Sequence, residues 1–359
     1  MASLSKLLNL SLPVVQSPMA GISTVKMAAA VTNFGGLGSI PLGGLDVKKL
    51  SNLTDRLQEF NGLTGNYKVN VNFFCHEVET KVEDVQKHNW LELYSKLDVK
   101  SQDINFDSIT PNTSFKLLED DSQKFDEFIE ILSRKTPSVV SFHFGLPKLV
   151  SIQKIQKTGS LVFVSVTSLQ EAEEAFDLGI DGVVCQGYEA GGHRGNFLTG
   201  IDNDSKLSTE NLFQQIIEKF KDRIVIPAGG IMDSFTIQSY LNRNAAAVQM
   251  GTIFLFCEEA NSNPFIQTID KSTTTMPTFL ISGKVARCIK TKFIDDLIDN
   301  YKTHHLSREQ LPPFDISYGA YKQFKAKKLE EYGFYLAGEN WNQIPNCKNV
   351  EQVLAQLKD

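Results

Sequence analysis

Four glycines fall within the ten residues Gln186–Gly195, QGYEAGGHRG, and between the last two stand His193 and Arg194. Glycine lets a backbone come close to a ligand and adopt positive φ. An imidazole titrates near neutral pH, so it can take or give a proton or steady an anion. A surface turn with an incidental histidine is the plain alternative. The glycine density, at the end of an apolar run, favours chemistry and makes His193 the candidate catalytic residue.

Two further segments share the glycine signal: Pro227–Asp233, PAGGIMD, with Gly229 and Gly230, and Gln249–Thr252, QMGT. Glycines that expose N–H groups beside a helix start form a phosphate nest. The competing reading is tight strand–helix packing. In SPMAG, Ser17–Gly21, Met19 and the backbone of Ala20, behind Pro18, offer a surface for a flat ring, although methionine also fills core gaps. Asn72 and Gln186 end apolar runs, where an amide reads the edge of a heterocycle or bonds nearby backbone. His143, within SFHFG, faces a pocket or is satisfied in the core. His76, His88, His304 and His305 read as surface residues. In Ser282–Arg287, SGKVAR, Lys284 and Arg287 either meet an anionic substrate or form surface salt bridges. There is no Ser/His/Asp arrangement, Walker loop or metal-ligand spacing, so no metal is expected.

The elements that must position these residues are short runs rich in Val, Ile and Phe: Pro13–Met19, Gly36–Ile40, Val69–Phe74, Ser138–Gly145, Leu161–Thr167, Gly182–Gly187, Ile224–Gly230 and Ala246–Thr252. Near-continuous apolar character is expected of strands buried on both faces of a parallel sheet. Helix-period stretches intervene. Ser168–Leu178 has an N-cap at Ser168, Glu171 at the capping-box position and Gly179 as its stop. Thr209–Phe220 is another. Eight such repeats predict an α/β fold, a (β/α)8 TIM barrel, with chemistry at the strand ends. A six-stranded doubly wound sheet is the structural rival, but its GxGxxG fingerprint is absent.

The interval His76–Pro137 is too long for a simple crossover. It contains helical Trp90–Leu97 and Phe125–Leu132 around a polar, extended Asp98–Asn112. After Phe256 the strand rhythm stops. Residues 257–334 are expected to form a small, mostly helical cap on a barrel of residues 1–256. Residues 335–359 pack back on the barrel, with a last helix at Asn349–Leu357.

Of the 359 residues, 42% are hydrophobic and 22% charged, a globular composition. A net charge of −6 argues against nucleic-acid and anionic-membrane surfaces. Lys322, Lys325, Lys327 and Lys328 read as a solvated helix face. The five cysteines are widely spaced and include no CxxC pair, which argues for free thiols in a reducing compartment. With no signal-peptide pattern and no long apolar run, a cytoplasmic protein is expected, monomeric or homodimeric.

The motifs PVVQSPMAGISTVKMAAAVTNFGGLGSI, SFHFGLP, QGYEAGGHRG, PAGGIMD and AAAVQMGTIFLFCEE resemble the successive motifs of the nitronate monooxygenases, formerly 2-nitropropane dioxygenases, class I branch. The resemblance covers Pro13 to about Glu259 and continues weakly through SGKVAR. It implies non-covalent FMN and O2-dependent denitrification of alkyl nitronates such as propionate 3-nitronate, to a carbonyl compound with nitrite or nitrate. It also implies FMN contacts from Asn72, Gln186, Gly191, Gly230, Gln249, Met250, Gly251 and Thr252. Pro18, Met19, Ala20, Gly192 and Gly229 complete the candidate cofactor set, and His193 matches the catalytic histidine. Flavin-dependent enoyl-acyl-carrier-protein reductases share a Gly-Gly-His loop and are the rival enzyme reading. A non-catalytic flavin or phosphate module and a flavin-free barrel for a sugar phosphate are the remaining alternatives. The placing of His193 and Arg194 together at the ligand mouth speaks against mere binding.

Overall fold

The computed structural model describes residues 4–43, 49–97, 104–111 and 113–358. Eight of its strands run parallel: β1 (Val14–Gln16), β2 (Gly38–Pro41), β3 (Val69–Phe74), β4 (Val139–His143), β5 (Leu161–Val166), β6 (Gly182–Gln186), β8 (Ile224–Ala228) and β9 (Val248–Met250). They hydrogen-bond in the order β1-β9-β8-β6-β5-β4-β3-β2. The two ends meet at a parallel bridge between Val15 and Leu37, where the Leu37 N–H donates to Val14 O and the Gln16 N–H donates to Leu37 O, each at 2.9 Å. The sheet is thus closed into a (β/α)8 barrel, and the doubly wound alternative is excluded.

Successive strand residues serve two cores, as the period-2 geometry of a strand requires. Val15, Phe163, Val184 and Ile226 belong to an inner cluster with Leu4 and Leu10 from the N-terminal segment. Their neighbours Val14, Val162, Val164, Val183 and Val225 pack outward with the helices. Ser168 caps its helix as expected, accepting from the Glu171 N–H at 3.2 Å. Glu171 is fully buried and does more than close a capping box. It accepts from the Thr167 N–H at 2.6 Å and from the Phe197 N–H at 2.6 Å, tying the segment after His193 to the end of β5.

The long interval after β3 does not stand alone. The helix Asp84–Leu93 puts Trp90 and Tyr94, stacked at 4.0 Å, into a second core with Phe293, Leu297, Tyr321 and Phe324. Further on, Phe115, Phe125 and Phe128 pack on the barrel. Of the stretch expected to be an extended loop, residues 98–103 and Asn112 lie outside the described residues; the described part contains a 3-10 turn at Phe106–Ser108.

The strand rhythm also does not stop at Phe256. β10 (Thr275–Thr278) and β11 (Ala286–Ile289) are antiparallel, and β11 continues onto β7 (Gly192–His193). β10 reads TMPT, and its proline and polar ends hide it from any alternation of apolar residues. Helices Lys292–Thr303 and Phe314–Lys325 follow. The tail helix Val350–Ala355, capped by Asn349, returns Val350, Val353 and Leu354 to the barrel core. Among the described residues, all five cysteines are free and buried, and no helix is long and apolar enough to cross a membrane.

Candidate active site

His193 is held from three sides. Its backbone lies opposite Ala286 in the β7–β11 pair. Its carbonyl accepts from Gln186 Nε2 at 2.9 Å and from His143 Nε2 at 3.1 Å. Gln186 Oε1 in turn accepts from the Gly195 N–H at 2.8 Å, so both ends of that amide brace the loop. Gly192, at φ +81°, makes the reversal into β7.

The imidazole is boxed by rings: Phe314 at 5.5 Å, Phe144 at 5.9 Å, Tyr318 at 6.0 Å and Phe334 at 6.2 Å between centroids. Its Nε2 lies 2.9 Å from Ser282 Oγ. Burial in this box, with His143, Lys284 and Lys322 nearby, pushes its pKa down to about 3. His143 is pushed down to about 4 by burial, against the opposing effect of its bond to the His193 carbonyl. Both rings are therefore neutral at neutral pH. Phe144 reaches the box through a left-handed backbone at φ +73°, rare for a bulky residue and a mark of a constrained site. The Lys284 ammonium lies 5.0 Å over the Phe144 ring and 5.7 Å over Phe314, and burial lowers its pKa. Lys322 Nζ lies 4.4 Å over the Tyr318 ring.

The glycine-rich loops converge beside this box. Gly229 and Gly230 follow β8 at φ +129° and +70°. Thr252 Oγ1 accepts from the Gly338 N–H at 2.9 Å, and Asn340 Nδ2 donates to Gly230 O at 2.7 Å. A Cβ on Gly191 would lie 2.4 Å from the Gly338 nitrogen, and one on Gly251 would lie 3.0 Å from Ser17 Cβ and 3.3 Å from Met19 Sδ. Gly191 therefore has to be glycine for close packing on the tail backbone, and a side chain at Gly251 would press on Ser17 and Met19. The turn carrying Pro18, Met19 and Ala20 is fixed beside Gly251 by the Met19 N–H, which donates to Ser23 Oγ at 3.1 Å. Asn72 donates to Ser141 Oγ at 2.9 Å. Gln249 is half-buried, and among the described residues its side chain has no hydrogen-bond partner. Met250 is buried in the core and can offer a ligand only its backbone, whose carbonyl already accepts from the Ser17 N–H.

Across protein families, residues 2–359 match the nitronate monooxygenase model. A putative nitronate monooxygenase of Saccharomyces cerevisiae is 39% identical over 99% of this chain and 93% of its own length. The chain belongs to the nitronate monooxygenase family. A nitronate monooxygenase of Pseudomonas aeruginosa is 34% identical over 81% of the chain and 80% of its own. The crystal structure of a nitroalkane oxidase from Streptomyces ansochromogenes matches with a TM-score of 0.79 at 25% identity, covering 99% of this chain and 97% of that one. The chain is accordingly a monooxygenase-type oxidoreductase.

Within this nitronate monooxygenase framework several sequence expectations change. His76 is not on the surface: it is 4% exposed, with Nε2 3.0 Å from Asp315 Oδ1, because the interval after β3 folds back onto the helix Phe314–Lys325. Arg194 does not reach the ligand mouth. It is buried against Asp204, Nε to Oδ2 at 2.8 Å, and braces the loop from beneath. Arg287 is 7% exposed and, instead of forming a surface salt bridge, donates to Tyr188 O at 3.0 Å and Thr275 Oγ1 at 3.2 Å. Lys322 is exposed as expected but leans over Tyr318 at the rim of the box rather than into open solvent. Phe144, Ser282, Phe314, Phe334, Gly338 and Asn340 were not singled out. Only Phe144 and Ser282 lay in segments the sequence had marked.

Proposed function

We propose that the chain binds FMN and uses O2 to oxidise alkyl nitronates to carbonyl compounds with release of nitrite or nitrate, propionate 3-nitronate being a fitting substrate. The observation that carries this reading is a neutral imidazole, His193, in an aromatic box beside the glycine nest, with the Lys284 ammonium over two of the same rings.

FMN, when bound, supplies the redox chemistry. Gly229, Gly230, Gly251 and Thr252 suit its phosphate, and the Met19–Ala20 turn, Asn72 and Gln249 suit its ring. Lys284 and Lys322 attract the anionic substrate. Burial among the apolar walls, with His143 and the two lysines nearby, keeps His193 unprotonated, and the nitronate anion formed beside it would offset the cost of the imidazolium when a neutral nitroalkane gives up its α-proton. The aromatic side chains exclude water from that exchange. In this reading residues 1–256, with 335–359, form the cofactor barrel. Residues 257–334 form the substrate cap, joined by the helix Asp84–Leu93. The protein works in the cytoplasm, as a monomer or homodimer.

An absorbance spectrum of the purified protein, followed by addition of propionate 3-nitronate, tests the assignment. A flavin spectrum, oxygen uptake and nitrite release support it. A colourless protein, or flavin bleached by NADH without any response to the nitronate, contradicts it and favours the sugar-phosphate or enoyl-reductase alternative respectively.

A further inference from the structure

Ser282 is fully buried, in the connection between β10 and β11. Its Oγ touches two groups: the Lys284 carbonyl at 3.0 Å and His193 Nε2 at 2.9 Å. A carbonyl oxygen can only accept, and a serine hydroxyl carries one proton. That proton goes to Lys284 O, so the contact with His193 must be made by an imidazole N–H donating to Ser282 Oγ.

We propose that Ser282 is a positioning residue that fixes His193 as the Nε2–H tautomer and leaves the Nδ1 lone pair as its proton-accepting atom. The inference rests on the reading of His193 as a proton acceptor and names the atom that does the accepting. The serine is itself fixed. Gly283 turns the chain at φ +79°, where a Cβ would lie 2.9 Å from the Phe314 nitrogen. The Arg194 N–H donates to Val285 O at 2.8 Å, clasping the far side of the turn to the His193 loop. Among the described residues, Nδ1 of His193 has no hydrogen-bond partner.

The proton step then balances simply. The α-C–H bond of a nitroalkane breaks, its proton goes to Nδ1, and the electron pair stays on the carbon–nitro unit as the nitronate. The imidazolium so formed keeps its Nε2–H on Ser282, and the hydroxyl need not reorient. An orienting acceptor on one ring nitrogen selects the tautomer at the other.

The test is ring-nitrogen NMR of the full-length protein labelled with 15N-histidine, in the flavin state in which it is purified. Among the six histidines, the signals lost in His193→Asn identify His193. The wild type is expected to carry its proton on Nε2 alone. Ser282→Ala is expected to give a mixture of tautomers, and Ser282→Thr to restore the single form. Turnover of nitroethane should fall about tenfold in Ser282→Ala, by a larger factor than turnover of its nitronate, since the anion needs no proton removed. A wild-type proton on Nδ1, or a His193 spectrum unchanged by Ser282→Ala, overturns the inference. The wild-type spectrum decides even if the alanine variant fails to fold. It also decides if the chain proves inactive on nitronates, so failure of the tautomer assignment and failure of the proposed reaction are separable.

Discussion

His143 Nε2 donates to the main-chain carbonyl of His193 across 3.1 Å, so one buried imidazole holds the backbone of the other. The same carbonyl receives Gln186 Nε2. A side chain that carries two such supports around it is kept in one place rather than sampling the barrel mouth. Replacing His143 with Phe keeps the volume and removes the donor. We expect a loss of about 1 kcal/mol in stability, the usual worth of one hydrogen bond, and a fall in nitroalkane turnover of about tenfold. Thermal melting and steady-state kinetics check both. His143→Gln, which can still donate, should recover most of the loss.

The depressed histidine pKa values make a pH prediction with a definite sign. Between the folded values of about 3 and about 4 and the ordinary value of 6.5, His193 and His143 bind fewer protons folded than unfolded. Stability therefore rises as pH increases through that window and is lost as pH falls through it. His193→Asn removes one of the two contributions. Its melting temperature should decline less steeply than that of wild type between about pH 6 and pH 4. Parallel declines would mean that His193 is not held neutral by its surroundings.

Gly191 faces the Gly338 nitrogen so closely that Gly191→Ala forces backbone apart. The tail segment Gly338–Asn340 would leave Thr252 and Gly230, and the nest would open. We expect at least a tenfold weaker affinity for FMN, about 1.4 kcal/mol, measured by flavin fluorescence on titrating the apoprotein. A variant that binds FMN as wild type does would detach the tail from the cofactor site.

Lys284 is expected to act on binding rather than on chemistry. Lys284→Met retains the stem that packs on Phe144 and Phe314 and removes the charge. KM for propionate 3-nitronate should rise about tenfold while kcat changes less than about threefold. The opposite split would place Lys284 in the chemical step.

Much of the barrel was legible because buried parallel strands are apolar throughout. β3 spans Val69–Phe74 as expected; β5, β6 and β8 start where expected and end one or two residues earlier, whereas β1, β2, β4 and β9 start one or two residues later. The N-cap Ser168 was legible because capping is local. The long-range features were not. Nothing local in TMPT announces that β10 pairs with β11, or that β11 pairs with the His193 loop. His76 looked exposed because its partner, Asp315, lies 239 residues away. Gly338 and Asn340 sit in a tail with no glycine-rich pattern, and only folding brings them to Gly230 and Thr252. His193 itself was visible from glycine density, but the rings that keep it neutral come from the turn after β4 and from the segments after β11.

Whether His193 accepts a proton in a nitronate-oxidising centre is decided by comparing nitroethane with its nitronate in wild type and His193→Asn. The variant should retain its flavin and lose turnover of the neutral nitroalkane by about 100-fold or more, while turnover of the preformed anion is much less affected. Equal turnover of nitroethane by the two proteins, with flavin bound in both, would contradict it.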